Sequence, residues 1–174
     1  MDKNLPLYTG ILQNSPLGDL WVAVSEQGLA AIEWSQDEVD FGAYLARRFK
    51  RPVQAGPEKA APALRQLDEY LRGARKEFTI PIDWSLLRPF QRQVLQIVFA
   101  IPYGQTRAYG EIAHEIGNPR AARAVGRANA TNPMPLVIPC HRVIGADGKL
   151  HGYGGGEGLP TKEWLLQLEG ALLT

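Results

Sequence analysis

The 174-residue sequence is poor in sulfur, with one cysteine and two methionines. One cysteine excludes an internal disulfide framework and a zinc site built from several thiolates. No apolar run is long enough to span a bilayer. The opening Met1-Asp2-Lys3-Asn4-Leu5-Pro6 lacks the apolar stretch of a secretory leader. A reduced, intracellular (cytoplasmic) protein with no membrane partner is therefore expected. Strong charge of one sign is missing too. The formal net charge is +1 at pH 7, and no basic tail advertises nucleic acid. That small total hides an asymmetry. Up to Trp84, ten Lys/Arg stand against twelve Asp/Glu, a net of −2; from Ser85 onward nine stand against six, a net of +3.

What remains is ordinary globular material. The 45% hydrophobic content is enough for one generous core or two small ones. Leu20–Val24 and Leu29–Trp34, separated by Glu26-Gln27-Gly28, predict a hairpin. Phe41, Leu45 and Phe49 recur at helical spacing, as do Leu64, Leu67 and Leu71, with Gly73 at a helix end. The Pro/Gly/Ala-rich stretch from Lys50 to Pro62 reads as a surface connection. Phe78, Ile80, Ile82 and Trp84 alternate as in a half-buried strand. The pattern turns helical near Ser85–Arg88, which predicts an α/β unit over residues 1–87 and a second unit over 88–174. Pro89 can open a helix whose apolar face is Phe90, Val94, Ile97 and Ile101.

The stretch TRAYGEIAHEIGNPRAARAVGRANATNP predicts a helix over Tyr109–Ile116, a stop at Gly117, an Asn118 cap, and a second helix from Pro119 to about Asn129. That is the helix-turn-helix pattern. The second helix carries Ala121, Ala122, Ala124, Gly126 and Ala128, punctuated by Arg120, Arg123 and Arg127. Major-groove reading normally uses longer hydrogen-bonding side chains. Small residues instead permit tight approach, as to a minor groove, or simple packing against a core with solvated arginines. Val143–Gly145 and Leu150–Tyr153 flank Asp147-Gly148, a hairpin signal that would add a wing. A last helix is expected from a Thr161 cap to Leu168.

The only cysteine lies in MPLVIPCHRVIG, directly before His141. A free thiol is mostly protonated at neutral pH, and an imidazole oriented by a carboxylate can take its proton. Adjacent side chains diverge, so a bridging water suits Cys140 and His141 better than a direct bond. Glu169, Glu111 and Glu115 are all candidates for the carboxylate. The bland alternatives are a buried apolar cysteine and a satisfied core histidine. His114, His141, His151 and Cys140 match no strong metal spacing, so no metal and no cofactor are expected.

Pro139-Cys140-His141-Arg142-Val143 closely resembles the active-site signature of the O6-alkylguanine-DNA alkyltransferases, also called methylated-DNA–protein-cysteine methyltransferases. FQRQVLQ, IPYGQTRAYGEIA, NPRAARAVGRAN, NPMPLVIPCHRVIG, GYGGG and KEWLLQLEG resemble family segments in the same order. The resemblance implies an α+β chain: a ribonuclease H-like α/β domain, then a winged-helix-like helix-turn-helix domain. It implies a DNA-repair activity in which O6-alkylguanine is flipped from duplex DNA and its alkyl group passes irreversibly to Cys140, once per molecule. Carried over by position, His141 is the base acting through water, Glu169 orients it, and Asn132 fixes the preceding turn. Tyr109 helps rotate and bond the base, and Arg123 fills the vacated stack. Ala121, Ala122 and Gly126 allow the minor-groove approach, while Val143, Tyr153 and Gly154 line the base pocket. The expected partner is double-stranded DNA, bound by a monomer.

The sequence departs from the family pattern in the loop GGGEGLPT, which is longer than in many members, and at Gly154, where some relatives carry serine. The Cys-His-Glu set also fits a cysteine hydrolase, and the helix-turn-helix fits a non-enzymatic DNA-binding module. Catalytic turnover on esters would mark the first; full activity without Cys140 would mark the second.

Overall fold

The computed structural model describes residues 5–34 and 37–171; Met1–Asn4, the start of the segment read above for a leader, lies outside them. The chain divides into two compact units, Met1–Leu86 and Leu87–Thr174. Among the described residues no helix is long and apolar enough to cross a membrane.

The first unit is built on strands β1 (Leu7–Ser15), β2 (Gly18–Ser25), β3 (Gly28–Glu33) and β4 (Val53–Ala55), in the order β3-β2-β1-β4. β2 and β3 form the expected hairpin, and β4 runs parallel to β1. Helix α1 (Glu38–Phe49) starts where the Asp37 carboxylate accepts the Asp40 N–H at 2.9 Å. Its Phe41 and Leu45 bury with Leu7, Ala23, Ala30 and Ala31. Helix α2 (Pro57–Leu71) crosses the opposite face, where Gly10 lets Ala60 and Leu64 approach β1. Alternation along the strands thus feeds two apolar layers.

Two expectations for this unit need correction. Lys50 to Pro62, expected as a surface connection, is mostly exposed but regular, because it holds β4 and the start of α2. Proline at the first helical position needs no partner for its missing N–H. The alternating Phe78–Trp84 run forms no strand. Its even-numbered residues are half-buried as expected, but Pro81 has no N–H for a ladder. Its strand-like backbone contact is with Leu29, which donates to the Pro81 carbonyl at 2.8 Å and accepts the Asp83 N–H at 2.9 Å.

The second unit contains α3 (Pro89–Phe99), β5 (Arg107–Ala108), α4 (Tyr109–Glu115), a 3-10 turn (Pro119–Ala121), α5 (Ala122–Ala130), a 3-10 turn (Cys140–Arg142), β6 (Val143–Ile144) and α6 (Leu159–Leu168). The α3 core face is Val94, Leu95 and Val98, followed by Ile101. Phe90, expected there, is 40% exposed. Gly117, at φ 77°, separates α4 from the second helix as expected. Asn118 makes no side-chain cap bond; its carbonyl accepts the Ala121 N–H instead. Thr161 is no cap either, since α6 begins two residues earlier and the Thr161 hydroxyl accepts the Glu157 N–H at 2.9 Å.

The wing hairpin is also corrected. β6 pairs in parallel with β5, and Leu150–Tyr153 forms no strand. The buried Lys162 side chain replaces a ladder, donating Nζ to the Val143 carbonyl at 2.7 Å and to the His151 carbonyl at 2.9 Å.

Gly28 sits at φ 138° with the Pro81 carbonyl where a Cβ would be. Gly28→Ala is expected to destabilise the protein by about 2 kcal/mol or more, since neither backbone can yield cheaply. Urea unfolding monitored by tryptophan fluorescence measures this; an unchanged midpoint would contradict it.

Candidate active site

The approach to the cysteine is a buried, turn-rich segment. Asn132 organises it from one side chain: its Nδ2 donates to the Ile138 carbonyl at 2.9 Å, and its Oδ1 accepts the Met134 N–H at 3.0 Å. Leu136 is buried at φ 73°, a conformation that non-glycine residues adopt rarely. This strained loop delivers the chain into the 3-10 turn Cys140–Arg142. Asn129 of α5 closes the turn from the other side, with Nδ2 donating to the Cys140 carbonyl at 3.1 Å.

The turn directs His141 and Arg142 at one carboxylate. His141 Nε2 lies 2.9 Å from Glu169 Oε1, and both side chains are fully buried. Arg142 grips the same carboxylate with both arms, Nε to Oε2 at 2.9 Å and Nη2 to Oε1 at 2.8 Å. Its Nη1 reaches the Ile101 carbonyl at 2.5 Å, and the Gly104 N–H donates to Glu169 Oε2 at 3.2 Å. Burial opposes ionisation of Glu169, but the hydrogen bonds from His141 and Arg142 prevail and hold its pKa down to about 2. An ionised carboxylate only accepts, so His141 Nε2 carries the proton and Nδ1 is the basic nitrogen. Burial keeps His141 below the ordinary 6.5, against the pull of Glu169, so the imidazole is neutral at neutral pH.

This geometry selects among the three carboxylates. Glu111 accepts the Ala108 N–H at 2.6 Å, a helix-start role, and Glu115 pairs with Arg107 at 2.6 Å. His151 faces Asp147 at 3.3 Å and His114 is exposed. Among the described residues no cluster of His, Cys, Asp and Glu fit to hold a metal ion forms.

Cys140 is 5% exposed. Burial pushes its thiol pKa up, opposed by the Asn132 amide, the Lys162 charge, its own backbone N–H and the Tyr153 hydroxyl. Lys162 is fully buried on the inner face of α6, and burial lowers it to about 8 despite the attraction of Cys140. Tyr109 opens α4 half-buried. Its phenol pKa is raised by burial and by the Cys140 charge, while an Asn129 contact acts the other way. Gly126 passes beside its ring, where a Cβ would sit 3.8 Å away. Cys140, His141, Glu169, Asn132, Tyr109 and Tyr153 therefore share one neighbourhood.

The remaining expected residues divide. Arg123 is exposed on α5, with Ala122 and Gly126 partly exposed, but Ala121 is buried in its turn and presents little surface. Val143 is buried with both backbone groups engaged: its N–H donates to the Cys140 carbonyl and its carbonyl accepts Lys162. Gly154 is exposed and lies so close to α5 that a Cβ would stand 2.9 Å from the Ala130 carbonyl.

Lys162, Arg142 and Asn129 went unassigned by sequence reasoning. Lys162 had a readable signal: three residues before the buried Leu165 and four before Leu166, it occupies an apolar face. Arg142 and Asn129 had none, because their partners are backbone carbonyls and a residue 27 positions away.

A buried thiol, a neutral histidine and an anchored carboxylate, carried beside a helix-turn-helix, define a cysteine-based transfer site on a DNA-binding scaffold. Residues 89–171 match the model of the 6-O-methylguanine DNA methyltransferase DNA binding domain, and residues 7–84 that of its ribonuclease-like domain. The chain is 41% identical over 167 residues to a methylated-DNA–protein-cysteine methyltransferase of Methanosarcina acetivorans, covering 95% of this chain and 99% of that one. It is 42% identical over 162 residues to the one of Salmonella typhimurium, covering 91% and 94%. A crystal structure of Mycobacterium tuberculosis OGT in complex with DNA superposes with a TM-score of 0.76 at 40% identity, covering 94% and 93%. The chain belongs to the 6-O-methylguanine DNA methyltransferase family. Its activity is DNA repair by alkyl transfer from methylated DNA to a protein cysteine.

With its pKa moved from the ordinary 4.5 to about 2, Glu169 stabilises the fold fully above pH 4.5, and that contribution is lost as pH falls towards 2. It amounts to about 3 kcal/mol. Urea unfolding of wild type across this window should show the loss, and Glu169→Gln should show a flatter profile. Parallel profiles would contradict the assignment.

Proposed function

We propose that this chain binds duplex DNA through α5 from the minor-groove side, everts an O6-alkylated guanine and takes the alkyl group onto Cys140 in a single, irreversible event. The observation that carries the reading is the His141–Glu169 contact at 2.9 Å one residue beyond the chain's only cysteine. A base cannot react within the stack, so extrusion comes first, at a cost of a few kcal/mol. Arg123, exposed on a helix of small residues, supplies the group that fills the gap. Tyr109 bonds the everted base beside the thiol.

The chemistry follows from the proton inventory. Burial keeps Cys140 protonated at rest, so its proton has to leave as the base arrives. His141 accepts it through a bridging water, and the resulting imidazolium is stabilised by Glu169. Lys162 favours the thiolate electrostatically. The thiolate sulfur then displaces the alkyl carbon from O6; the C–O pair stays with the guanine, which recovers a proton. The new thioether resists hydrolysis, so the site is spent. Action as a monomer suits this mode of binding, and a reduced intracellular compartment suits a free thiol that must stay reactive.

Incubation with duplex containing labelled O6-methylguanine should move label to the protein up to one equivalent, and Cys140→Ala should bind the duplex without taking label. Turnover beyond one equivalent would overturn the reading. Separately, Arg123→Ala should slow transfer from duplex by about tenfold or more, the scale of a lost stacking group, while sparing reaction with the free base. Equal loss on both substrates would remove Arg123 from the eversion step.

A further inference from the structure

The amide of Asn129 is 4% exposed, and only half of it is used. Its nitrogen faces the Cys140 carbonyl at 3.1 Å; a carbonyl can only accept, so that bond fixes which end of the amide is which. The other end, Oδ1, is fully buried and has no hydrogen-bonding partner among the described residues. Buried acceptors are nearly always paired, and a vacant one calls for a ligand. Two further observations locate it. Asn129 contacts the phenol of Tyr109, and it hangs on the carbonyl of the residue that carries the thiol. Gly154 lies tightly against the Ala130 carbonyl, one residue from Asn129, in a loop with three consecutive glycines.

The substrate base has one group that matches. Alkylation at O6 leaves N1 of guanine without a hydrogen, so the 2-amino group is the only N–H donor on the base. O6, N1 and the 2-amino group lie in a row along one edge. A base whose alkyl carbon meets the Cys140 sulfur can turn this edge toward the Cys140 backbone, where Asn129 is tethered. We infer that Asn129 Oδ1 accepts the 2-amino group of the everted base and thereby selects O6-alkylguanine over alkylated bases that lack this donor. The inference rests on the transfer reading above. Asn129 is then a specificity residue as well as a tether of the Cys140 turn, since one amide both pins the thiol-bearing turn and reads the base.

The test compares single-turnover transfer from duplexes carrying O6-methylguanine or O6-methylhypoxanthine, the same base without the 2-amino group, at one position. Wild type should react at least about tenfold faster with the guanine lesion, because a site built for a donor is left with an unpaired acceptor by an analogue lacking it. Asn129→Leu and Asn129→Ala should both bring the ratio of the two rates close to one, the alanine variant removing the amide with a residue that favours helix. An unchanged ratio in the variants, an equal loss on both lesions, or a wild-type ratio of one would overturn the inference, the second of these marking a purely structural tether. A wild type that takes no methyl group from either lesion would instead sink the transfer reading itself.

Discussion

A single buried carboxylate holds the active end of this molecule together. Glu169, at the end of α6, receives His141, both arms of Arg142 and the Gly104 N–H. An ionised group without solvent is costly unless paired and fully hydrogen-bonded, and here the pairing is nearly complete. The same contacts join α6, the cysteine turn and the loop after α3, elements far apart in sequence. Structure and chemistry therefore share one interaction. The histidine and arginine keep the carboxylate charged, the charge fixes the proton on one imidazole nitrogen, and the other nitrogen is left basic.

The thiol is governed by opposing effects. Burial favours the neutral form, while Lys162, Asn132 and Tyr153 favour the anion. At rest burial prevails, and a protonated, buried thiol is slow to oxidise or alkylate. The lysine at the bottom of the site is itself buried and weakened, its ammonium held by two carbonyls. Charge is thus stored close to the sulfur and shielded from water, where it acts more strongly than it would at the surface.

Much of this was legible in the sequence, for definable reasons. The hairpin of β2 and β3 follows from alternation around a Gly turn, and the α4–Gly117–α5 arrangement follows from local stop and start signals. The motif around Cys140 and the collinear segments carried the family and the activity. Long-range geometry was not legible. Spacing left Glu111, Glu115 and Glu169 equivalent; the family resemblance pointed to Glu169, and α6 folding back onto the cysteine turn supplies the physical reason. The wing hairpin failed because Lys162, distant in sequence, supplies the donors a second strand would have offered. The strand at Phe78–Trp84 failed on one missing N–H at Pro81. Asn129 looked like the polar end of a helix, and only its burial against the Cys140 carbonyl gives it a role.

The central claim is that burial holds His141 neutral while a charged Glu169 fixes its proton on Nε2. Nuclear magnetic resonance of nitrogen-labelled histidine in the intact protein measures both protonation state and tautomer. The account predicts a His141 that is neutral at neutral pH, protonated at Nε2, and that titrates below the ordinary 6.5. A His141 that titrates at 6.5 or above, or one that carries its proton on Nδ1, would contradict it.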